Sequence, residues 1–344
     1  MIRNIAVVSL SSGVIGEPFT AHEVEIGRKR LEAYGMNVVF MPNACKGMEY
    51  VKNHPEKRAK DLLDAFRDPE IDMILCAIGG DDTYRLLPYL FEEDQLKQGV
   101  TEKIFLGFSD TTINHFMLHK VGLNTFYGQS FLADICELGN EMFPYTRQYF
   151  EELIHTGTIH EITPSKVWHE SRQSFGPEAI GTEVPSHLDH GFELLQGSPV
   201  FSGAMLGGCI DSMYDMFLGD RYEDMPVLCR KYDLFPSLEE WKGKILLLES
   251  SEELMSAKKY RRSLELLKET GIFEVISGIL VGKPMDEVNK EAYHQQLIEV
   301  IGNSDLPIVG NINIGHATPR CIMPLGIPAE VNVKEQRIRF SVER

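Results

Sequence analysis

The stretch Ile104-Phe-Leu-Gly-Phe-Ser109-Asp110-Thr-Thr112 decides how this 344-residue chain is read. Apolar residues run through a glycine straight into a serine. A segment at 110–120 follows with helical spacing, so a strand turns sharply into a helix at Ser109. Such a turn presents the serine hydroxyl at a sheet edge above a helix N-terminus, as a nucleophile elbow does. The pattern G-x-S-x-G is met only in part, because Thr111 stands where the second glycine belongs. Two readings follow: Ser109 is an exposed nucleophile, or it caps the helix, as serines commonly do.

Outward from this turn, the first 155 residues alternate β-branched runs with amphipathic segments, the pattern of a parallel sheet wrapped by helices. Strands are expected at 4–10, 37–41, 71–78 and 104–108, and helices after Thr20, at 55–67 and around 84–90. Thr20 and Glu23 have capping-box spacing. Residues 156–199 lose periodicity and hold Trp168, Phe175 and several histidines, so they read as a linker folded over something. Residues 200–344 form a second patterned region of mixed α/β character. Its helices are expected at 207–218, 253–270 and 286–301, its strands at 244–248, 275–281 and 307–314, with a terminal pair at 330–333 and 337–342. Open α/β sheets bind ligands at the carboxyl ends of their strands, where this chain places its Gly, Ser and Asp clusters.

Composition sets the class. Apolar residues make up 43% and charged residues 25%, the balance of a folded globular protein. With 34 Lys+Arg against 51 Asp+Glu the net charge is −17, which disfavours nucleic acid and anionic membranes as partners. A nucleotide-sized ligand in a locally basic pocket stays compatible with that charge. The six cysteines are scattered without a CxxC pair, which fits a reducing compartment. The apolar run at 5–10 is too short for a signal-peptide core, and nothing approaches the roughly 18 to 20 apolar residues of a membrane span. A cytoplasmic protein is expected.

A serine hydroxyl needs a histidine to take its proton and an acid to orient that histidine. His316 lies in Asn311-Ile-Asn-Ile-Gly-His316-Ala-Thr-Pro, just past an apolar strand, where an ordinary loop histidine is the alternative. Glu249 ends Ile245-Leu-Leu-Leu-Glu249, where a buried carboxylate requires a partner. Ser250 and Glu253 just beyond have capping-box spacing, so Glu249 reads alternatively as a helix-entry acid. Gly79-Gly80-Asp81-Asp82-Thr83 closes a strand, and its N–H groups can cradle an anion together with that of Asp110. That anion is a tetrahedral oxyanion or a phosphate, since GGDDT also resembles the GGDGT loop of NAD and diacylglycerol kinases, with Asp82 in place of a glycine. His115 and His119 share a helix face but lack the Glu of H-E-x-x-H, so core histidines are expected there. His187 and His190 flank Asp189 without a nearby cysteine and make a poor zinc site. No metal and no cofactor is implied.

Taken together, the GGDDT turn, the GFSD elbow, LLLESSEE and NIGHATP resemble the serine peptidase family of LD-carboxypeptidases and the microcin C self-immunity protein, in order and over nearly the whole chain. The resemblance implies Ser109 as nucleophile, His316 as general base, Glu249 as its orienting acid, and Gly80 and Asp110 as oxyanion-hole donors. It implies a parallel-sheet α/β sandwich domain at 1–155, a substrate-covering linker at 156–199, and a mixed domain with a β-barrel-like core at 200–344 carrying the acid and the histidine. A homodimer and a small peptide or aminoacyl-nucleotide substrate are implied as well. The aromatic segment resembles the immunity type more closely, which makes Asp81, Trp168, Phe175 and Gly208 candidate substrate-binding residues. Cys209 departs from the family pattern, where Asn follows the two glycines, and cannot offer an amide's hydrogen bonds. The rivals are a nucleotide kinase built on GGDDT and a non-catalytic binding protein of the same fold.

Overall fold

The computed structural model describes residues 2–341. Along the first half run β1 (Asn4–Val8), β2 (Asn37–Phe40), β3 (Met73–Cys76), β4 (Ile104–Gly107) and β5 (Thr125–Tyr127). Within 156–199 lie four short strands: β6 (Glu161–Ile162), β7 (Val167–His169), β8 (Ser186–Leu188) and β9 (Glu193–Gln196). Then come β10 (Val200–Cys209), β11 (Ile245–Glu249), β12 (Gly278–Gly282), β13 (Ile308–Ile312), β14 (Met323–Leu325), β15 (Pro328–Asn332) and β16 (Arg337–Phe340). Residue 342, expected at the end of the last strand, lies outside the described residues.

The first sheet has six strands in the order β14-β5-β4-β3-β1-β2, parallel except for β14. Its central strands β3 and β4 are buried along their whole length, as expected for a sheet covered on both faces. The second sheet has eight strands in the order β6-β16-β15-β10-β11-β12-β13-β9, with β10 to β13 parallel and the rest antiparallel. Strand β10 joins its two parts: Val200–Ala204 pair with β15 and Met205–Cys209 pair with β11. The barrel-like core expected here is not formed. The end strands β6 and β9 each pair on one side only, so the sheet stays open.

Two expected boundaries move for local reasons, and the cap expected at Thr20 does not form. Residues 207–209 extend β10 instead of starting a helix, because Gly207 and Gly208 have φ of 127° and 149°, far from helical values, and the helix is Ile210–Phe217. The helix expected from 253 is Ala257–Glu269, capped by Ser256, so the Ser250/Glu253 capping box does not form. Thr20 precedes the helix Ala21–Ala33, but its hydroxyl donates backward to the Val14 and Glu17 carbonyls instead of capping.

Strand β14 determines where the two sheets meet functionally. The chain leaves β13 in the second sheet and enters β14 at the edge of the first, so the intervening residues cross between the sheets. His316 is on that crossing.

Candidate active site

Ser109 follows β4 and precedes the helix Thr111–Lys120. It has a φ of 65°, the left-handed backbone expected of a sharp strand-to-helix turn. The cap reading fails, since the Thr112 N–H donates to the Ser109 carbonyl, not to its hydroxyl, and no side chain caps this helix. The space that a second glycine would have opened is supplied from the neighbouring loop. A Cβ on Gly79 would lie 2.7 Å from Ser109 Cβ and 2.9 Å from its Oγ, so only glycine lets the turn at 79–80 pass beneath the serine.

The Ser109 hydroxyl lies 3.1 Å from His316 Nε2, and His316 Nδ1 lies 2.7 Å from Glu249 Oε2. Glu249 is the last residue of β11, and its side chain is fully buried. Its second oxygen accepts a 2.5 Å hydrogen bond from the Tyr127 hydroxyl, which in turn accepts the Ser109 N–H at 3.0 Å. Both carboxylate oxygens are therefore partnered, as a buried charge requires. The His316 and Phe108 rings meet at a steep angle with centroids 5.1 Å apart, and the Arg320 guanidinium lies over the Phe108 ring at 4.7 Å.

A second carboxylate reaches the same histidine: Glu252 Oε2 is 2.9 Å from His316 Nε2, although the Glu252 side chain is largely exposed. Burial favours a neutral imidazole, but Glu249 and Glu252 outweigh it and push His316 up to about 10. The hydrogen bond to His316 holds Glu252 down at about 2. Burial works against the charge on Glu249, yet His316 and Tyr127 keep its carboxyl below the ordinary value. Burial, reinforced by the Glu249 charge, pushes the Tyr127 phenol well up.

The turn before Ser109 is held from below. Asp82 is buried on Arg58 at 2.6 Å, and Arg58 also donates to the Leu10 and Ser11 carbonyls. Asp110 accepts from the Ser11 hydroxyl at 2.6 Å and from the Thr83 N–H at 2.9 Å, while burial pushes its carboxyl up to about 6. Gly80 has a φ of 149°, and a Cβ there would fall 2.3 Å from Ser11 Oγ. Gly80 and Asp110 line the cleft beside Ser109, and their backbone N–H groups make no hydrogen bond among the described residues. With Asp82 committed to Arg58 and Gly79 packed on the serine, the turn is not the open phosphate cradle of the kinase reading.

Residues 5–128 match the model of the LD-carboxypeptidase N-terminal domain, and residues 202–331 match that of the LD-carboxypeptidase C-terminal domain. The chain belongs to the LD-carboxypeptidase family. An MccF-like protein from Streptococcus pneumoniae, solved in complex with AMP, is 58% identical, covers 99% of both chains and superposes with a TM-score of 0.98. An MccF-like protein from Bacillus anthracis is 25% identical over 99% of this chain and 97% of its own, with a TM-score of 0.80. The microcin C7 self-immunity protein MccF of Escherichia coli is 25% identical over 92% of this chain and 87% of its own.

Not every residue singled out in this LD-carboxypeptidase-family sequence reaches the cleft. Asp81 lines it and faces Arg221 at 3.7 Å. Gly208 lies beneath it: a Cβ would sit 2.5 Å from Thr112 Oγ1 and 2.7 Å from the Tyr127 ring, so this glycine lets β10 approach Tyr127. Trp168 and Phe175 do not line the cleft. Trp168 stacks on His187 with centroids 4.4 Å apart, and Phe175 is exposed. Cys209 is buried, its N–H donates to Thr112 Oγ1, and its thiol lies 3.7 Å from Asp211 Oδ2. His115 is a core histidine held by Thr125 and the Gly107 carbonyl. Among the described residues no three His, Cys, Asp or Glu side chains group as metal donors, and no helix is long and apolar enough to cross a membrane.

Tyr127, Glu252, Asp211 and Arg221 are among the cleft or triad-adjacent residues that escaped the reading of the sequence. Tyr127 carried one signal, a tyrosine followed by Gly128 at the end of a short run. The other three carried none: Asp211 sits in the mixed stretch Cys209-Ile-Asp-Ser-Met213, Glu252 is paired with Glu253, and Arg221 lies between Asp220 and Tyr222.

Proposed function

We propose that the protein is a serine hydrolase that cleaves the amide joining an aminoacyl group to a nucleotide-like leaving group, through Ser109, His316 and Glu249. The observation that carries this reading is the relay from Ser109 Oγ through His316 to Glu249, at 3.1 Å and 2.7 Å. Serine and histidine lie within the reach that nucleophilic catalysis requires, and the third group orients the base. The AMP bound to the relative that is 58% identical supports a nucleotide in the substrate.

In this mechanism neutral His316 takes the Ser109 proton on Nε2 as Oγ bonds to the acyl carbon. The Gly80 and Asp110 N–H groups receive the oxyanion. Glu249 holds Nδ1–H and stabilises the imidazolium, and Tyr127 fixes Glu249 from its other oxygen. The tetrahedral adduct then collapses. The amide C–N bond breaks, His316 gives its proton to the departing nitrogen, and an ester remains on Ser109. Water, deprotonated by His316, attacks that ester, releasing the free acid and restoring the serine. Before the first step Glu252 must leave Nε2 and the proton they share must pass to solvent, because a histidine that keeps its Nε2 proton cannot accept another.

Product analysis by mass spectrometry tests the substrate. Aspartyl-sulfamoyl adenosine is expected to yield aspartate, with turnover undiminished in EDTA and absent in Ser109→Ala. Release of D-alanine from an LD-linked murein tetrapeptide, with the nucleoside conjugate left intact, would replace the nucleotide reading by the cell-wall one.

A further inference from the structure

The cleft beside Ser109 is lined by Asp81, Asp110, Asp211, Asp215, Glu252 and Glu253, with Arg221 as the single cation. Most of these carboxylates are accounted for. Arg221 lies against Asp81, Asp215 and Glu253, Asp110 is tied to Ser11 and Thr83, and Glu252 is on His316. Lys259, which also acts on Asp215, has its ammonium 4.8 Å from the Tyr214 ring.

Asp211 differs. Its residue is 7% exposed, and its Oδ2 accepts the Ser251 N–H at 2.9 Å, but its Oδ1 is buried without any hydrogen-bond partner. A buried carboxylate oxygen left in this state calls for a donor. Asp211 is also close to the reacting serine through the backbone: Thr112 Oγ1 donates to the Ser109 carbonyl at 2.7 Å and accepts the Cys209 N–H at 2.9 Å, two residues before Asp211. A cationic donor suits the site best, because six carboxylates line the cleft against Arg221, with the His316 imidazolium beside them.

We propose that Asp211 is a specificity-determining residue that receives the α-ammonium of the aminoacyl group being cleaved. The proposal rests on the aminoacyl-substrate reading above. It places the ammonium, two bonds from the scissile carbonyl, against the one cleft carboxylate oxygen that is fully buried without a hydrogen-bond partner. The enzyme then selects substrates with an unblocked amine and rejects N-acylated ones, for which Asp211 Oδ1 would stay without a partner.

Binding to the Ser109→Ala variant, measured by calorimetry, tests this without any need for turnover. Aspartyl-sulfamoyl adenosine is expected to bind at least about tenfold more tightly than its N-acetyl derivative, equivalent to about 1.4 kcal/mol. In Ser109→Ala with Asp211→Asn, which keeps the shape and the Ser251 acceptor, the ratio should fall below about threefold, the loss expected when the charge that pairs with the ammonium is removed. Equal binding of the two compounds by Ser109→Ala, binding of neither, or a preference that survives Asp211→Asn would each overturn the proposal. The first comparison changes only the ligand, so it stands even if the Asp211 variant misfolds. Turnover by the unmodified enzyme is read separately. If it cleaves neither compound while Ser109→Ala keeps the tenfold preference, the hydrolase reading falls and the ammonium site stands; if it cleaves both equally well, the ammonium site falls and the hydrolase reading stands.

Discussion

Replacing Glu252 by Gln should move the acid limb of the pH profile to lower pH. Glu252 Oε2 and Ser109 Oγ compete for His316 Nε2, at 2.9 Å and 3.1 Å. Opposite charges about 4 Å apart attract by about 1 kcal/mol in water and about 4 kcal/mol at an effective dielectric constant of about 20. With its side chain 63% exposed, Glu252 places the pair near the aqueous limit. One pKa unit corresponds to about 1.4 kcal/mol, so the His316 pKa is expected to fall by about one unit in Glu252→Gln. The sign follows from which form the carboxylate favours: without it the imidazolium loses a counter-charge, and the neutral base is populated at lower pH. Glu249 remains, so the pKa stays above that of a free histidine. The assay is kcat/KM for aspartyl-sulfamoyl adenosine against pH, which reports the free enzyme, paired with an NMR titration of the His316 ring. A limb that stays in place, or moves to higher pH, would refute the claim that Glu252 holds the resting histidine in its charged form.

Two further substitutions probe the support around the triad. Tyr127→Phe removes the hydroxyl that joins Glu249 to the Ser109 N–H. Loss of a hydrogen bond to a charged group is worth about 1.5–3 kcal/mol, so kcat should drop about 10- to 100-fold with a smaller change in KM. An unchanged kcat in steady-state kinetics would remove Tyr127 from the mechanism. Arg58→Met leaves Asp82 buried with only Arg85, 3.6 Å away, as counter-charge. A broken buried pair costs about 3–5 kcal/mol, and the partial substitute puts the expected loss near about 3 kcal/mol, read from urea unfolding. A variant as stable as the parent would mean that this pair does not anchor the turn.

How much of this was legible in the sequence follows from where each residue sits. The first sheet declares itself through long apolar runs, because parallel strands covered on both faces leave no polar alternation to confuse the pattern. Ser109, Glu249 and His316 stand out as polar residues just past such runs, yet nothing in their spacing brings them together. That convergence depends on β14, three residues whose pairing with β5 carries the His316 segment from one sheet to the other. A strand so short carries no periodic signal. The four strands within 156–199 are hidden for the same reason, with two to four residues each. The helix expected at 207 fails because apolar spacing ignores backbone sign, and two glycines with positive φ extend the chain there instead. Trp168 drew attention as an aromatic in a loop, but its partner is His187, which the sequence places 19 residues away across an unrecognised hairpin.

The central claim is that Ser109 is a nucleophile activated by His316. Peptide mapping by mass spectrometry after reaction with a fluorophosphonate tests it without reference to any natural substrate. One covalent adduct on Ser109 is expected, absent in Ser109→Ala and formed far more slowly in His316→Ala. An adduct on another residue, or labelling that proceeds equally well without His316, would contradict it.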